Sequence, residues 1–160
     1  MNTLQRGFTL LELMVVVAII ALASAGVGFA LRSSEEAALE REGQRLAALL
    51  EAGRAQSRAS GVAALWRPTP GGFRFDGLQQ QDLPSRWLHE TTRATLESAA
   101  TRRSGAAPPQ ALVLGPEPLI GPQSVLLQSA DQPDKRLRVA TDGLRPFAVV
   151  LAGQDAVKVP

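Results

Sequence analysis

Hydrophobic positions are distributed in three different ways along this chain of 160 residues. From Phe8 to Leu31 they are nearly continuous, and Glu12 is the single charged residue in that stretch. The 19 residues from Leu13 to Leu31 carry no charge. As a helix they would extend about 28 Å, close to the roughly 30 Å hydrocarbon layer of a bilayer. The pattern therefore predicts a membrane-length helix with a carboxylate near its start.

After Leu31 the hydrophobic positions take a helical period, and residues 37–60 are rich in strong helix formers. One stripe at three- to four-residue spacing contains Leu39, Gly43, Leu46, Leu50, Gly53 and Ser57. The other side carries Glu40, Arg41, Gln44, Arg45, Glu51, Arg54 and Arg58. We expect the helix to continue to a stop at Gly61. The two glycines of the stripe favour close packing on a sheet, and a coiled-coil partner is the alternative.

Beyond residue 61 the chain has short segments of strand character separated by turn residues, which predicts an antiparallel β-rich head. The expected strands are 62–67, 73–76, 86–90, 111–114, 124–128, 137–140 and 147–151, with 157–159 as an edge. Pro68–Gly72 and the Asp142-Gly143 pair are turn signals, and residues 98–110 are expected to form a loop. The predicted fold class is α+β.

Composition argues against catalysis and against a nucleic-acid partner. The formal net charge is only +2, and the chain contains no cysteine. The single histidine, His89, has no cysteine or nucleophile motif beside it, so we expect no enzyme and no cofactor. Asp131, Asp134 and Asp142 lack the spacing of an EF-hand loop, which makes a calcium site the lesser alternative. The basic pairs Arg102-Arg103 and Lys135-Arg136 are expected to be solvated loops rather than a DNA-uptake surface.

An ordinary secretory signal is one alternative for the N-terminus. Ala23-Ser24-Ala25 before Gly26 would form an A-x-A cleavage site. Glu12 interrupts the apolar core, however, and the apolar run continues past the site to Leu31. A periplasmic enzyme bearing such a signal would also need a catalytic constellation, which the sequence does not offer.

The string Gly7-Phe8-Thr9-Leu10-Leu11-Glu12, followed by the apolar run, resembles the class III signal of type IV pilins and type II secretion pseudopilins. The resemblance implies that a prepilin peptidase cuts after Gly7 and methylates the new N-terminal Phe8. It also implies that Glu12 pairs with the N-terminal amine of a neighbouring subunit, the alternative being a carboxylate that reaches the lipid headgroups. A lone buried charge would cost several kcal/mol, which such a pair would largely offset.

The resemblance also implies a domain organisation of type IV pilin-like form, with a long N-terminal helix whose first half spans the membrane. The head would be an antiparallel β-sheet or sandwich. The expected segments are a leader at 1–7, a transmembrane or filament-core helix at 8–31, an amphipathic continuation at 32–60 and a periplasmic head at 61–160.

Three later elements resemble, in order, the H-type minor pseudopilin of type II secretion: Gly72-Phe73-Arg74-Phe75, Trp87, and Asp142-Gly143-Leu144-Arg145-Pro146-Phe147. The candidate head-fold or interface residues are Trp66, Phe73, Phe75, Trp87, Asp142, Gly143, Pro146 and Phe147.

The resemblance also implies partners and a location. The implied partners are other minor and major pseudopilins, the prepilin peptidase and the inner-membrane secretion platform. The implied location is the inner membrane, with the N-terminus cytoplasmic and the head periplasmic, and the periplasmic pseudopilus after assembly. A minor pilin of a type IV pilus, serving pilus priming or DNA uptake, is the alternative.

Overall fold

A computed structural model describes residues 9–78, 83–98, 105 and 107–151, without the side chains of residues 25–34 and 151. The chain divides into two compact units, Met1–Glu36 and Ala37–Pro160. One helix, α1 (Leu10–Ser60), contributes to both units and precedes all the strands. The strands are β1 (Ala64–Thr69), β2 (Gly72–Asp76), β3 (Thr92–Glu97), β4 (Leu112–Gly115), β5 (Gln123–Ser129), β6 (Arg136–Thr141) and β7 (Ala148–Leu151). The α+β class is as predicted.

Helix α1 ends where the sequence predicts. Ser60 is its last residue, and Gly61 follows with a φ of 70°, a left-handed conformation that glycine adopts without a Cβ clash. The Gly61 N–H donates to the Ser57 carbonyl at 2.9 Å, and the buried Ser57 hydroxyl donates to the Val62 carbonyl at 2.6 Å. These bonds satisfy groups at the helix end and direct the chain into β1.

The strands of the second unit form two antiparallel sheets. One contains three strands in the order β2-β1-β4, and the other contains four in the order β3-β5-β6-β7. β1 and β2 form a hairpin closed by Pro70-Gly71, with Gly71 at a φ of 76°. β5, β6 and β7 follow one another in space as in sequence. The antiparallel head predicted from the sequence is therefore present as two sheets.

The stripe of α1 packs against both sheets. Its six members, Leu39, Gly43, Leu46, Leu50, Gly53 and Ser57, are all buried. A Cβ on Gly43 would meet Leu137 of β6 and Val149 of β7, and a Cβ on Gly53 would lie 3.0 Å from Phe75 of β2. The two glycines thus allow the helix to approach the two sheets closely, as predicted from their position in the stripe.

One predicted strand is wrong, and one real strand was missed. Within 86–90 only Arg86 makes a β-bridge, to Gly72, because the Arg86 carbonyl and the Leu88 N–H bond to side chains of α1 instead of a strand. The strand β3 lies just after this segment. Its inward positions are Thr92, Ala94 and Leu96, of which only Leu96 is strongly apolar, so its alternation is weak in sequence.

The predicted turn at Pro68–Gly72 is shorter in the structure, because β1 continues through Pro68 and Thr69. Pro68 lies opposite Phe73, and β4 pairs with β1 only between Ala64 and Trp66. Because Pro68 does not pair with β4, its lack of an N–H removes no hydrogen bond between β1 and β4. The predicted edge strand at 157–159 and most of the predicted loop at 98–110 lie outside the described residues.

Candidate functional site

Within the N-terminal motif, the structure describes the cap of α1. Gly7 and Phe8 lie outside the described residues. The Thr9 hydroxyl accepts a hydrogen bond from the Glu12 N–H at 3.2 Å, and Glu12 lies in the first turn of the helix. Thr9 therefore acts as the N-cap of α1, and the positive end of the helix dipole stabilises a carboxylate in the first turn. The sequence contains this signal, and it gives both residues a role in starting the helix.

The side chains along the first part of α1 are exposed in the single chain. Leu10, Ile19 and Leu22 are 76%, 60% and 74% exposed, and Glu12 is also exposed. Among the described residues, no helix has the length and apolarity required to cross a membrane.

Four of the predicted head residues form one aromatic cluster. Trp66 and Phe73 are 0% and 2% exposed, and Phe75 and Trp87 are nearly as buried. The Phe73 ring lies 4.6 Å from that of Trp87, 5.8 Å from that of Trp66 and 6.1 Å from that of Phe75, centroid to centroid. Trp66 and Trp87 meet edge to face at 6.4 Å. The structure thus places these residues in the core, where such tilted contacts stabilise aromatic pairs.

A buried carboxylate on α1 holds the segment that delivers Trp87 to this cluster. Glu42 is fully buried, and its Oε2 accepts a 2.6 Å hydrogen bond from the Leu88 N–H. Arg45 donates to Glu42 Oε1 and to the Arg86 carbonyl, each at 3.0 Å. The pair therefore bonds to the backbone on both sides of Trp87 and satisfies polar groups that no strand pairs.

A second acid–arginine pair holds the turn before β7. Glu51 accepts a 3.0 Å hydrogen bond from the Phe147 N–H, and its carboxylate lies 3.8 Å from the Arg54 guanidinium. Arg54 Nη2 donates to the Pro118 carbonyl at 2.9 Å and to the Gly143 carbonyl at 3.3 Å. Two separate loops are therefore joined to the helix through one buried arginine.

The burial of Arg54 corrects the prediction that it lies on the polar side of the helix. It is 4% exposed, and Glu42 lies on the opposite flank of the stripe. Both acid–arginine pairs have the i,i+3 spacing that is also found between charged residues on the exposed face of a helix. The spacing alone does not reveal that each acid accepts a backbone N–H from the head.

The predicted Asp-Gly turn is closed by its own side chains. Asp142 Oδ1 accepts hydrogen bonds from the Leu144 and Arg145 N–H groups at 3.0 and 2.7 Å, and its Oδ2 accepts one from Arg145 Nε at 2.7 Å. These bonds, chiefly those from Arg145, lower the pKa of Asp142 from 3.8 to about 2.

The other residues of the turn are placed by backbone conformation and burial. Gly143 has a φ of 91°, and a Cβ there would collide with the Ile120 carbonyl. Pro146 is exposed, whereas Phe147 enters the core at 4% exposure.

The remaining polar candidates are not brought together. His89, Asp131 and Asp134 are exposed, and the described residues contain no group of three His, Cys, Asp or Glu that could hold a metal ion. Arg136 is exposed and Lys135 is half-buried, whereas Arg102-Arg103 lies outside the described residues. The buried polar side chains Glu42 and Arg54 instead bond to backbone groups of the head.

Comparison with known proteins identifies the N-terminal segment. Residues 2–28 match the family model for the prokaryotic N-terminal methylation motif. No curated protein and no solved structure matches the chain. The matched range contains Gly7, Phe8 and Glu12, the three residues predicted for processing and assembly. The motif suggests a membrane-anchored precursor that a prepilin peptidase processes and that assembles with other pilins. It indicates a structural protein of the type IV pilin-like group, which includes the pseudopilins.

Proposed function

We propose that this protein is an H-type minor pseudopilin of a type II secretion system, a subunit at or near the pseudopilus tip that assists export of folded proteins across the outer membrane. The methylation motif at residues 2–28 is the observation that carries the proposal. The order of the later elements, from the Phe73 strand to Trp87 and then to the Asp142 turn, supports the H type because it follows that family's pattern.

In the proposed mechanism the peptidase cuts between Gly7 and Phe8, and the amine of Phe8 is methylated. Residues 8–31 hold the subunit in the inner membrane and enter the filament core on assembly. There the Glu12 carboxylate pairs with the N-terminal amine of a neighbouring subunit. Because either charge alone would be costly in an apolar surrounding, the pair favours one stacking register over others.

The described end of α1 supports this role for Glu12. The Thr9 hydroxyl accepts the hydrogen bond of the Glu12 N–H, and the Glu12 side chain is exposed. Within the part of the chain that the structure describes, the carboxylate is therefore accessible to a charge supplied by another subunit. A purely local role, in which Glu12 only stabilises the helix start, would need the charge but no neighbour.

The head supports a docking role for the second unit. Its backbone loops at Arg86–Leu88 and Gly143–Phe147 are joined to α1 through Glu42, Arg45, Glu51 and Arg54. Loops held in this way present a fixed surface, which keeps the entropic cost of binding another subunit low. We propose that this surface contacts other pseudopilins in the periplasm.

Complementation tests the proposal. The chain is expressed in two hosts, one lacking its H-type pseudopilin and one lacking a minor pilin of its type IV pilus. Restored release of a secreted enzyme in the first host alone is expected. Restored pili in the second host alone would contradict the proposal and identify a minor pilin, which shares the N-terminal motif.

One variant removes the charge of Glu12 while keeping the size of its side chain, and a second variant serves as its control. Glu12→Gln is expected to be processed normally and to lose both secretion and co-purification with the other pseudopilins. Glu40→Gln, at an exposed position of the same helix, is the matched control and is expected to retain both. Unchanged co-purification of Glu12→Gln would overturn the charge-pairing role.

A further inference from the structure

The side-chain amide of Gln123 hydrogen-bonds to the outer edge of β4, where a neighbouring strand would otherwise pair. Its Oε1 accepts a hydrogen bond from the Val113 N–H at 2.7 Å, and its Nε2 donates to the Val113 carbonyl at 2.8 Å. An adjacent antiparallel strand would offer the same donor and acceptor to one residue. The amide of Gln123 thus reproduces one rung of a sheet ladder.

The backbone of Gln123 belongs to the other sheet. It is the first residue of β5 and lies opposite Thr141 of β6. β4 pairs on its other side with β1, where Leu65 lies opposite Val113. One glutamine therefore joins the edge of the three-stranded sheet to a strand of the four-stranded sheet.

The edge that Gln123 covers is short and uncharged. β4 contains only Leu112, Val113, Leu114 and Gly115 and has no charged side chain, and Val113 is 45% exposed. The edge strand β2 carries Arg74 and Asp76, and the edge strand β3 carries Arg93 and Glu97, whereas the edge strand β7 is uncharged like β4. Charged residues on an edge strand disfavour pairing with another chain, whereas an uncharged apolar edge favours it.

We propose that Gln123 closes β4 against edge-to-edge pairing with β4 of a second copy of this chain. Two antiparallel copies of this edge are self-complementary, because a two-fold axis midway between the two Val113 residues would place the N–H of each opposite the carbonyl of the other. The amide of Gln123 satisfies both groups internally. As a consequence, subunits that lie side by side in an assembly would associate through surfaces other than the β4 edge.

Disulfide trapping tests this closure in the intact chain, solubilised in detergent. The chain has no cysteine, so Val113→Cys introduces a single thiol on the outward side of β4. The Cα atoms of residues paired across an edge lie about 5.5 Å apart, within the range that a disulfide bridges. Under mild oxidation Val113→Cys alone is expected to remain mostly monomeric. Adding Gln123→Ala is expected to raise the cross-linked fraction severalfold.

Two further variants distinguish closure from a loss of stability. Gln123→Glu keeps the acceptor for the Val113 N–H and loses the donor, so its cross-linking is expected to be intermediate. Gln128→Ala, on the same strand between Arg93 and Arg136, is the matched control and is expected to leave cross-linking unchanged. A Gln123→Ala variant that loses thermal stability without added cross-linking would overturn the proposal. Equal cross-linking in the Gln128→Ala variant would overturn it as well.

Discussion

The fully buried carboxylate of Glu42 accepts a 2.6 Å hydrogen bond from the backbone N–H of Leu88. Trp87, the residue before Leu88, packs in the aromatic core against Phe73. One side chain of α1 thus fixes the position of a tryptophan that no regular strand holds. The hydrogen bond joins the helix to the head within the compact unit that begins at Ala37.

Removal of this carboxylate is expected to destabilise the head. Glu42→Ala leaves the Leu88 N–H without its acceptor and Arg45 without its ion-pair partner, at an expected cost of about 3 kcal/mol in the free energy of unfolding. Glu42→Gln retains an acceptor and is expected to cost less. Denaturant unfolding followed by tryptophan fluorescence measures both. Glu40 is exposed, and the control Glu40→Ala is expected to change the free energy of unfolding by less than about 0.5 kcal/mol. A loss of unfolding free energy in Glu40→Ala equal to that in Glu42→Ala would contradict this role of Glu42.

Gly143 is expected to tolerate no side chain. Its φ of 91° is unfavourable for other residues, and a Cβ would collide with the Ile120 carbonyl, which is backbone and cannot rotate away. Gly143→Ala should therefore cost about 3 kcal/mol in the free energy of unfolding. Gly121→Ala, in the neighbouring loop with open space at its Cβ, serves as control in the same thermal melts. Similar melting temperatures for the two variants would argue against this packing of the turn.

The Asp142 turn is expected to loosen in acid. Its hydrogen bonds lower the pKa of Asp142 to about 2, so the folded state favours the charged carboxylate. The stabilisation is fully present above the unfolded value near 3.8 and is lost as the pH falls through about 2. Amide exchange at Leu144 and Arg145, corrected for intrinsic rates, is expected to accelerate across that range. In Asp142→Asn this pH dependence should disappear, and its persistence would assign the transition to another group.

The sequence predicts the repetitive features of this fold better than its irregular ones. The stripe from Leu39 to Ser57 and the stop at Gly61 follow from periodicity and glycine chemistry, which act locally. The Thr9 cap is also a local signal. Strand β3 was missed because only Leu96 among its inward residues is strongly apolar.

The long-range polar contacts could not be predicted in the same way. Arg54 has the composition of a surface residue, and its burial depends on two carbonyls, at Pro118 and Gly143, that are distant in sequence. The segment Arg86–Glu90 has strand-like residues, yet its backbone groups bond to side chains of α1. Such pairings are set by the assembled tertiary structure and leave no periodic pattern in the chain.

The most direct test of the central claim is the N-terminus of the processed protein. The chain is co-expressed with a prepilin peptidase, and the N-terminal peptide is identified by mass spectrometry. Gly7→Leu is expected to block cleavage, and Gly26→Leu, at the alternative site, is expected to leave it intact. A protein that begins at N-methylated Phe8 is the predicted result. A protein that begins at Gly26, or one that retains residues 1–7 in the presence of the active peptidase, would contradict the pilin-like assignment.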